Sequence, residues 1–127
     1  MTNDPKTLGA LTLAYVGDTV YELFNRLKTV ANGDRPVELL HRESISRAKA
    51  VTQSKIVDVI MEDLTEEEQA VYRRGRNANV HTKAKNASVQ EYHRATGLEA
   101  VIGYLYLNGE KERIKTLLNK GFEALGL

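Results

Sequence analysis

Apolar residues recur at helical spacing along most of this chain, and the breaks between the apolar runs define its expected elements. The first run holds Leu13, Val16, Val20, Leu23, Phe24 and Leu27 and predicts a helix from about Lys6 to Lys28. Asn3-Asp4-Pro5 ahead of it supplies a polar cap and a proline suited to a first turn. Ala31-Asn32-Gly33-Asp34-Arg35-Pro36 is the clearest breaker. A second helix is expected from Val37 to about Met61, with Leu39, Leu40, Ile45, Ala48, Val51, Ile56, Val59 and Ile60 inward and His41, Arg42, Arg47, Lys49 and Lys55 on a solvated face. A third begins at Leu64-Thr65-Glu66-Glu67-Glu68, where Thr65 and Glu68 make a capping box and the acids suit the helix dipole. It should end near Arg74, with Gly75 as a left-handed stop. Ser88 and Glu91 make a second capping box, opening a helix that runs to Leu107. A bend near Thr96-Gly97 would bring Glu99 close to a helix start. Asn108-Gly109 is a turn, and a last helix from Glu110 to about Leu125 turns Ile114, Leu117, Leu118, Phe122 and Leu125 inward. Strands are not called for anywhere, so the fold class expected is all-α.

Composition bounds the reading, and the placement of charge refines it. A chain of 127 residues suits one domain, 1–127, with a real core. It has no cysteine, which removes disulfides and thiolate chemistry and fits a reducing cytosol. The start MTNDPKTL is too polar for a signal peptide, and no apolar run approaches the roughly 18 residues of a membrane span. A cytoplasmic protein without a membrane partner is the expectation. Net charge is +1, so gross charge says nothing about nucleic acid. Its distribution says more: Asp58, Glu62, Asp63, Glu66, Glu67 and Glu68 are followed by Arg73, Arg74, Arg76, Lys83, Lys85 and Arg94, with only Glu91 opposed. The helix start accounts for most of the acidic block, so those glutamates are not read as catalytic. Arg76 to Ser88 combines bases with Asn77, Asn79 and Asn86 and almost no large apolar side chain. It reads as an exposed loop, and loops this long are usually functional or disordered.

Two local rules break inside the first helix. Leu13 to Glu22, LAYVGDTVYE, places Gly17 and then Asp18 within an apolar stretch. A carboxylate at an apolar surface is costly unless paired, and glycine costs a helix about 1 kcal/mol relative to alanine. Such paired breaks mark functional or strained places. A solvent-facing aspartate beside a close-packing glycine explains them equally well. Leu98 to Leu107, LEAVIGYLYL, repeats the pattern with Glu99 and Gly103. Two apolar helices with one acid each can bring both acids to one point of a bundle, and carboxylate and water oxygens suit Mg²⁺ or Mn²⁺.

These two stretches, in this order, resemble the signature helices of the ribonuclease III catalytic domain. In that family the first signature runs glutamate, an apolar pair, glycine, aspartate; the second runs aspartate, two residues, glutamate-alanine, an apolar pair, glycine. Here GDTVYELF and LEAVIGYLYL match, while Ala14 and Thr96 stand where the wider family has its other two acids. The chain's size and the segment RRGRNANVHTKAKNA resemble the Mini-III branch, the catalytic domain without a double-stranded-RNA-binding domain. The resemblance implies a ribonuclease III helical bundle and Mg²⁺-dependent hydrolysis of double-stranded RNA, with Mn²⁺ as a substitute. Asp18 and Glu99 are then metal ligands, and Thr96 is either a water-holding hydroxyl or a helix cap. It also implies a homodimer that cuts both strands, large-subunit (23S) ribosomal RNA precursor as substrate, and room for a ribosomal-protein helper. Arg73, Arg74, Arg76, Asn77, His81, Lys83, Lys85 and Arg94 are the expected RNA contacts, with Arg47 and Lys49 as outlying candidates. His41, His81 and His93 show no metal-ligand spacing, although His81 could touch phosphate. Tyr15, Tyr21, Tyr104 and Tyr106 are candidates for the dimer seam, or core tyrosines with a hydroxyl at the rim. The competing expectation is a non-catalytic RNA-binding or assembly module on the same fold, favoured by Ala14 and Thr96.

Overall fold

In the computed structural model, which describes residues 4–78 and 88–127, the chain folds into six α-helices. They are α1 (Ala10–Ala31), α2 (Val37–Ala48), α3 (Ala50–Ile60), α4 (Glu66–Arg76), α5 (Val89–Leu107) and α6 (Lys111–Ala124). Short 3-10 turns span Pro5–Thr7 and Met61–Asp63, and no strand occurs among the described residues. The all-α expectation holds.

α5 is the axis of the fold. Ala95, Thr96, Gly97, Leu98 and Ala100 to Leu105 are all buried, so from its middle onward the helix is covered nearly all round. α1, α3 and α4 pack directly on it, and α6 closes the bundle against α3. Leu13, Tyr21, Ile56, Ile60, Leu98, Val101, Leu105, Ile114, Leu118 and Phe122 form the least accessible part of the core. Each such side chain contributes about 1.5–3 kcal/mol by leaving water. Both predicted capping boxes are present: Thr65 with Glu68 on α4, and Ser88 with Glu91 on α5.

The elements differ from the pattern at five points. The first helix does not start at Lys6. Asp4 captures the Lys6 amide and closes the Pro5–Thr7 turn, Leu8 and Gly9 are extended, and α1 begins at Ala10. α1 then runs on to Ala31, where Arg35 donates to the Thr29 carbonyl at 2.9 Å. The second helix is two: Lys49 is extended (φ −70, ψ 144) and ends α2 while capping α3. No Gly or Pro marks this corner; Thr52 Oγ1 donates to the Ser46 carbonyl at 2.7 Å and satisfies an end that the helix leaves open. Gly75 is not a stop. It is helical and buried, and a Cβ there would lie 2.8 Å from Ala100 Cβ and 2.9 Å from Gly97 Cα, so it is the point where α4 passes close to α5. The bend at Thr96-Gly97 is absent: α5 is continuous, and Glu99 sits mid-helix.

Arg47 corrects the solvated-face reading of α2. It is 2% exposed, and its guanidinium donates to Asn25 Oδ1 at 3.0 Å, Thr29 Oγ1 at 2.7 Å and Glu43 at 3.0 Å. Tyr21 Oη donates to the Arg47 carbonyl, and Asn25 to the Ser44 carbonyl at 2.8 Å. Polar side chains one turn apart on α1 therefore fix α2. Conversely, Leu39 and Ile45, expected inside, are exposed, and so are Leu23 and Leu27 of the first apolar run. With Leu11, Tyr15 and Val30, Leu23 and Leu27 form an uncovered apolar row along α1.

Candidate active site

α1 and α5 touch through their backbones. A Cβ on Gly17 would fall 1.7 Å from the Glu99 carbonyl oxygen, and one on Gly103 would fall 2.0 Å from that of Leu13. Each glycine faces the main chain of the other helix, so nothing larger fits at either point. This crossing explains both rule-breaking stretches together. Asp18 follows Gly17, and Glu99 is the residue Gly17 presses against, so the close approach itself brings the two carboxylates together.

Asp18 and Glu99 line one cavity of about 370 Å³ with Ala14, Thr96, Leu11, Tyr15 and Tyr92. Asp18 is exposed at its mouth, and Glu99 is half-buried. Burial first, then a hydrogen bond shared with Asp18 and the charge of Asp18, together push the Glu99 carboxyl up to about 8 against the opposite pull of Gln53. Two carboxylates this close share a proton when nothing else neutralises them. Such a pair is the donor set a hard divalent cation satisfies, because the ion supplies the positive charge that the fold does not. No group of three or more His, Cys, Asp or Glu able to hold a metal occurs among the described residues, so water must complete the shell of any ion held there.

Ala14 and Thr96 line this same cavity, which puts a methyl and a hydroxyl beside the two acids. Thr96 Oγ1 donates to the Tyr92 carbonyl at 3.1 Å within the unbroken helix, so Thr96 is not a helix cap. The residues that sequence reasoning missed here are Gln53, Tyr92 and Leu11. Gln53 carried a signal of the kind Asp18 gave: a polar side chain on the face of α3 that holds Ile56, Val57 and Ile60.

The basic candidates are spread over several surroundings. Arg73 and Asn77 are exposed at the end of α4. Arg74 donates to the Leu8 carbonyl at 2.8 Å, across the α1 entry. Arg76 lies over the Tyr72 ring at 5.6 Å, with Nε donating to Asn77 Oδ1 at 3.2 Å. Arg94 donates to the Ser54 carbonyl at 3.1 Å and ion-pairs with Asp58, which ties α5 to α3. His81, Lys83 and Lys85 lie outside the described residues. Lys49 is exposed; His41 is on the surface as expected, and the His93 ring lies 3.0 Å from the Arg76 carbonyl. Of the four tyrosines expected at a seam, Tyr21 and Tyr104 are core residues, with hydroxyls held by Arg47 and Glu67. Tyr106 is half-buried and Tyr15 is 82% exposed.

Comparison with known proteins places this geometry in a family. A model of the ribonuclease III domain matches residues 11–110, a span that includes both acids. The chain is similar to Mini-ribonuclease 3 of Thermoanaerobacter sp. strain X514, at 44% identity over 94% of this chain and 84% of that protein. It is also similar to Mini-ribonuclease 3 of Enterococcus faecalis, at 43% identity over 97% and 95% of the two chains. A crystal structure of a Fusobacterium nucleatum protein superposes with a TM-score of 0.87 at 32% identity, covering 97% of this chain and 98% of that one.

Proposed function

The chain belongs to the ribonuclease III domain family, and from that premise we propose a metal-dependent endoribonuclease that cleaves double-stranded RNA by phosphodiester hydrolysis. Its substrate in this reading is the large-subunit (23S) ribosomal RNA precursor in the cytoplasm, and residues 1–127 form one catalytic domain. The observation that carries the reading is the meeting of Asp18 and Glu99 in one cavity at the α1–α5 crossing.

Asp18 and Glu99 would hold Mg²⁺, with Mn²⁺ as a substitute. When bound, the ion activates water for attack on phosphorus and neutralises charge on the phosphate and the leaving oxygen. The protein's own work is positioning. The glycine crossing fixes the separation of the two acids, and burial keeps Glu99 short of water, so its charge is compensated only by what enters the cavity. Asp18 stands at the mouth, where a phosphodiester can reach it. Arg73, Arg74, Arg76, Asn77 and Arg94 would be phosphate contacts among the described residues, and His81, Lys83 and Lys85 are proposed as contacts from the sequence alone. A-form RNA is recognised through phosphates and 2′-hydroxyls, which suits dispersed bases better than a base-reading element.

Cutting both strands requires two sites, and the uncovered row of Leu11, Tyr15, Leu23, Leu27 and Val30 suits a second copy of the chain. Leu11 and Tyr15 belong both to this row and to the cavity wall, so a dimer seam there would run beside the acids. Light scattering of the purified protein should give twice the chain mass; a monomer at micromolar concentration removes the dimer from the account.

Ala14 and Thr96 at the cavity wall favour one second reading, a non-catalytic duplex-RNA-binding or assembly module. A single experiment separates the two. A long, fully paired RNA is incubated with the protein in Mg²⁺, in chelator, and with Asp18→Asn. Cleavage that needs both the ion and Asp18 supports the endonuclease; duplex binding without cleavage selects the module.

A further inference from the structure

α5 borders a second hollow with a different face from the one it turns to the acids. Tyr92, Thr96 and Glu99, at i, i+4 and i+7, line the acid cavity. Gln90, His93 and Arg94, at i, i+3 and i+4, line the second hollow. With Val89, and with Arg76 and Asn77 at the end of α4, they surround about 390 Å³. Among the described residues this wall holds two guanidiniums, two carboxamides and an imidazole, and no carboxylate. The hollow offers donors to an anion and no like charge to repel it. Its cations are held in place. Arg76 lies over the Tyr72 ring and donates Nε to Asn77 Oδ1, and no ion pair to it occurs among the described residues. Arg94 donates to the Ser54 carbonyl at 3.1 Å and pairs with Asp58, and its buried Nε has no partner among the described residues.

His93 is the informative member of this wall. Its Nδ1 lies 3.0 Å from the Arg76 carbonyl. A carbonyl only accepts, so Nδ1 carries the hydrogen and Nε2 is the ring nitrogen left for a ligand. A neutral ring turns a lone pair to an anion, whereas a protonated ring offers it a second N–H. Arg76 from α4 and Arg94 from α5 oppose that proton, and Asp58 of α3 offsets Arg94. Tyr92 meets the ring edge-on at 6.3 Å, and the Glu91 carboxylate accepts from the Ser88 N–H. A phosphate entering the hollow favours the proton. Anion binding and proton uptake at His93 are therefore linked.

We infer that this hollow is a subsite for a backbone phosphate of duplex RNA, gripped by Arg76, Arg94 and a protonated His93. The inference rests on the duplex-RNA reading above. Because the subsite and the acids occupy different faces of α5, the phosphate held here is a different one from that beside Asp18 and Glu99. The subsite therefore acts on affinity for the duplex, and it makes that affinity depend on pH.

The test titrates a paired RNA into the full chain in chelator, so that binding is read without cleavage. Wild type and His93→Gln are compared at pH 6 and pH 8, each at several salt concentrations. Glutamine keeps an N–H for the Arg76 carbonyl and cannot take up the proton. The wild type is expected to lose about tenfold more affinity than His93→Gln between pH 6 and pH 8. At pH 6 the salt slope should be smaller by about 1 in the variant. The same pH dependence and the same slope in both proteins overturn the subsite and leave the endonuclease reading standing. A wild type that binds no duplex at either pH overturns the RNA reading, and this inference with it. If His93→Gln does not fold, the ring-proton NMR signal of His93 in the wild type decides. It should move toward the protonated position when a short RNA duplex is added. A signal that stays in place overturns the proposal, and so does one that moves with inorganic phosphate but not with the duplex.

Discussion

α1 meets a buried charge at two points, and the fold treats them in opposite ways. Beside Asn25 and Thr29 it takes in the Arg47 guanidinium, which is matched by an amide oxygen, a hydroxyl and the Glu43 carboxylate, with the Phe122 ring at 5.7 Å. Only Nε of that guanidinium lacks a partner among the described residues. Beside Gly17, α1 takes in Glu99 and meets it with Asp18, another acid. The first charge is compensated within the chain and serves to fix α2 on α1. The second sits against like charge and away from water, which raises its hold on a proton, and this arrangement is the basis of the proposed cation site. Charge burial alone therefore does not mark the site; an unmatched buried charge does.

This contrast can be broken, and the largest effect is expected at the acids. Glu99→Gln or Asp18→Asn should lower the rate of duplex cleavage at least a thousandfold, about 4 kcal/mol of barrier. Cation-free stability should hold or rise, because one of two opposed carboxylates is gone. Initial rates and urea unfolding measure both, and wild-type cleavage by both variants would place the site elsewhere. Arg47→Ala should do the reverse. Removing one partner from a buried polar network costs about 3 kcal/mol in urea unfolding, while the folded fraction still cleaves. A loss under about 1 kcal/mol would mean that the network does not hold α2 as described.

The pH dependence sharpens the comparison. Glu99 in the folded protein titrates at about 8, against an ordinary value of 4.5. Between these values the folded state holds a proton that the unfolded state has lost. This favours folding below about 4.5, and the advantage disappears as pH rises through about 8. Cation-free stability should therefore fall by up to about 5 kcal/mol across this window, and Mg²⁺ should flatten the slope. Thermal unfolding in chelator and in Mg²⁺ checks this; the same slope in Glu99→Gln would assign it to another group. The smallest effect is expected away from both charges. Arg73→Ala with Arg76→Ala should weaken duplex binding a few-fold and reduce the salt slope by up to about 2, measured by titration at several salt concentrations. An unchanged slope would remove α4 from the RNA surface.

The candidate site was legible in the sequence because the residues that meet there break local rules. Gly17-Asp18 and Glu99 with Gly103 stand out against apolar stripes, and the crossing explains all four at once. Capping boxes were legible because they are local: Thr65 reaches Glu68, and Ser88 reaches Glu91, within one turn. The corner at Lys49 was not, since it depends on Thr52 bonding back to Ser46 and no glycine or proline announces it. Arg47 was misread because only the partners brought by α1 decide whether an arginine on a mixed helix face is solvated. Gly75 was misread for a related reason: a glycine near a helix end serves a stop or a close crossing, and α5 decides which. Leu23 and Leu27 kept the helical period yet stayed exposed, because periodicity identifies an apolar face without saying whether the same chain covers it.

The most direct measurement is anomalous diffraction from crystals soaked in Mn²⁺. The account predicts a peak between the Asp18 and Glu99 carboxylates, and none at the Arg47 seam. Crystals whose protein cleaves duplex RNA with Mn²⁺ but show no peak between those two carboxylates would contradict it.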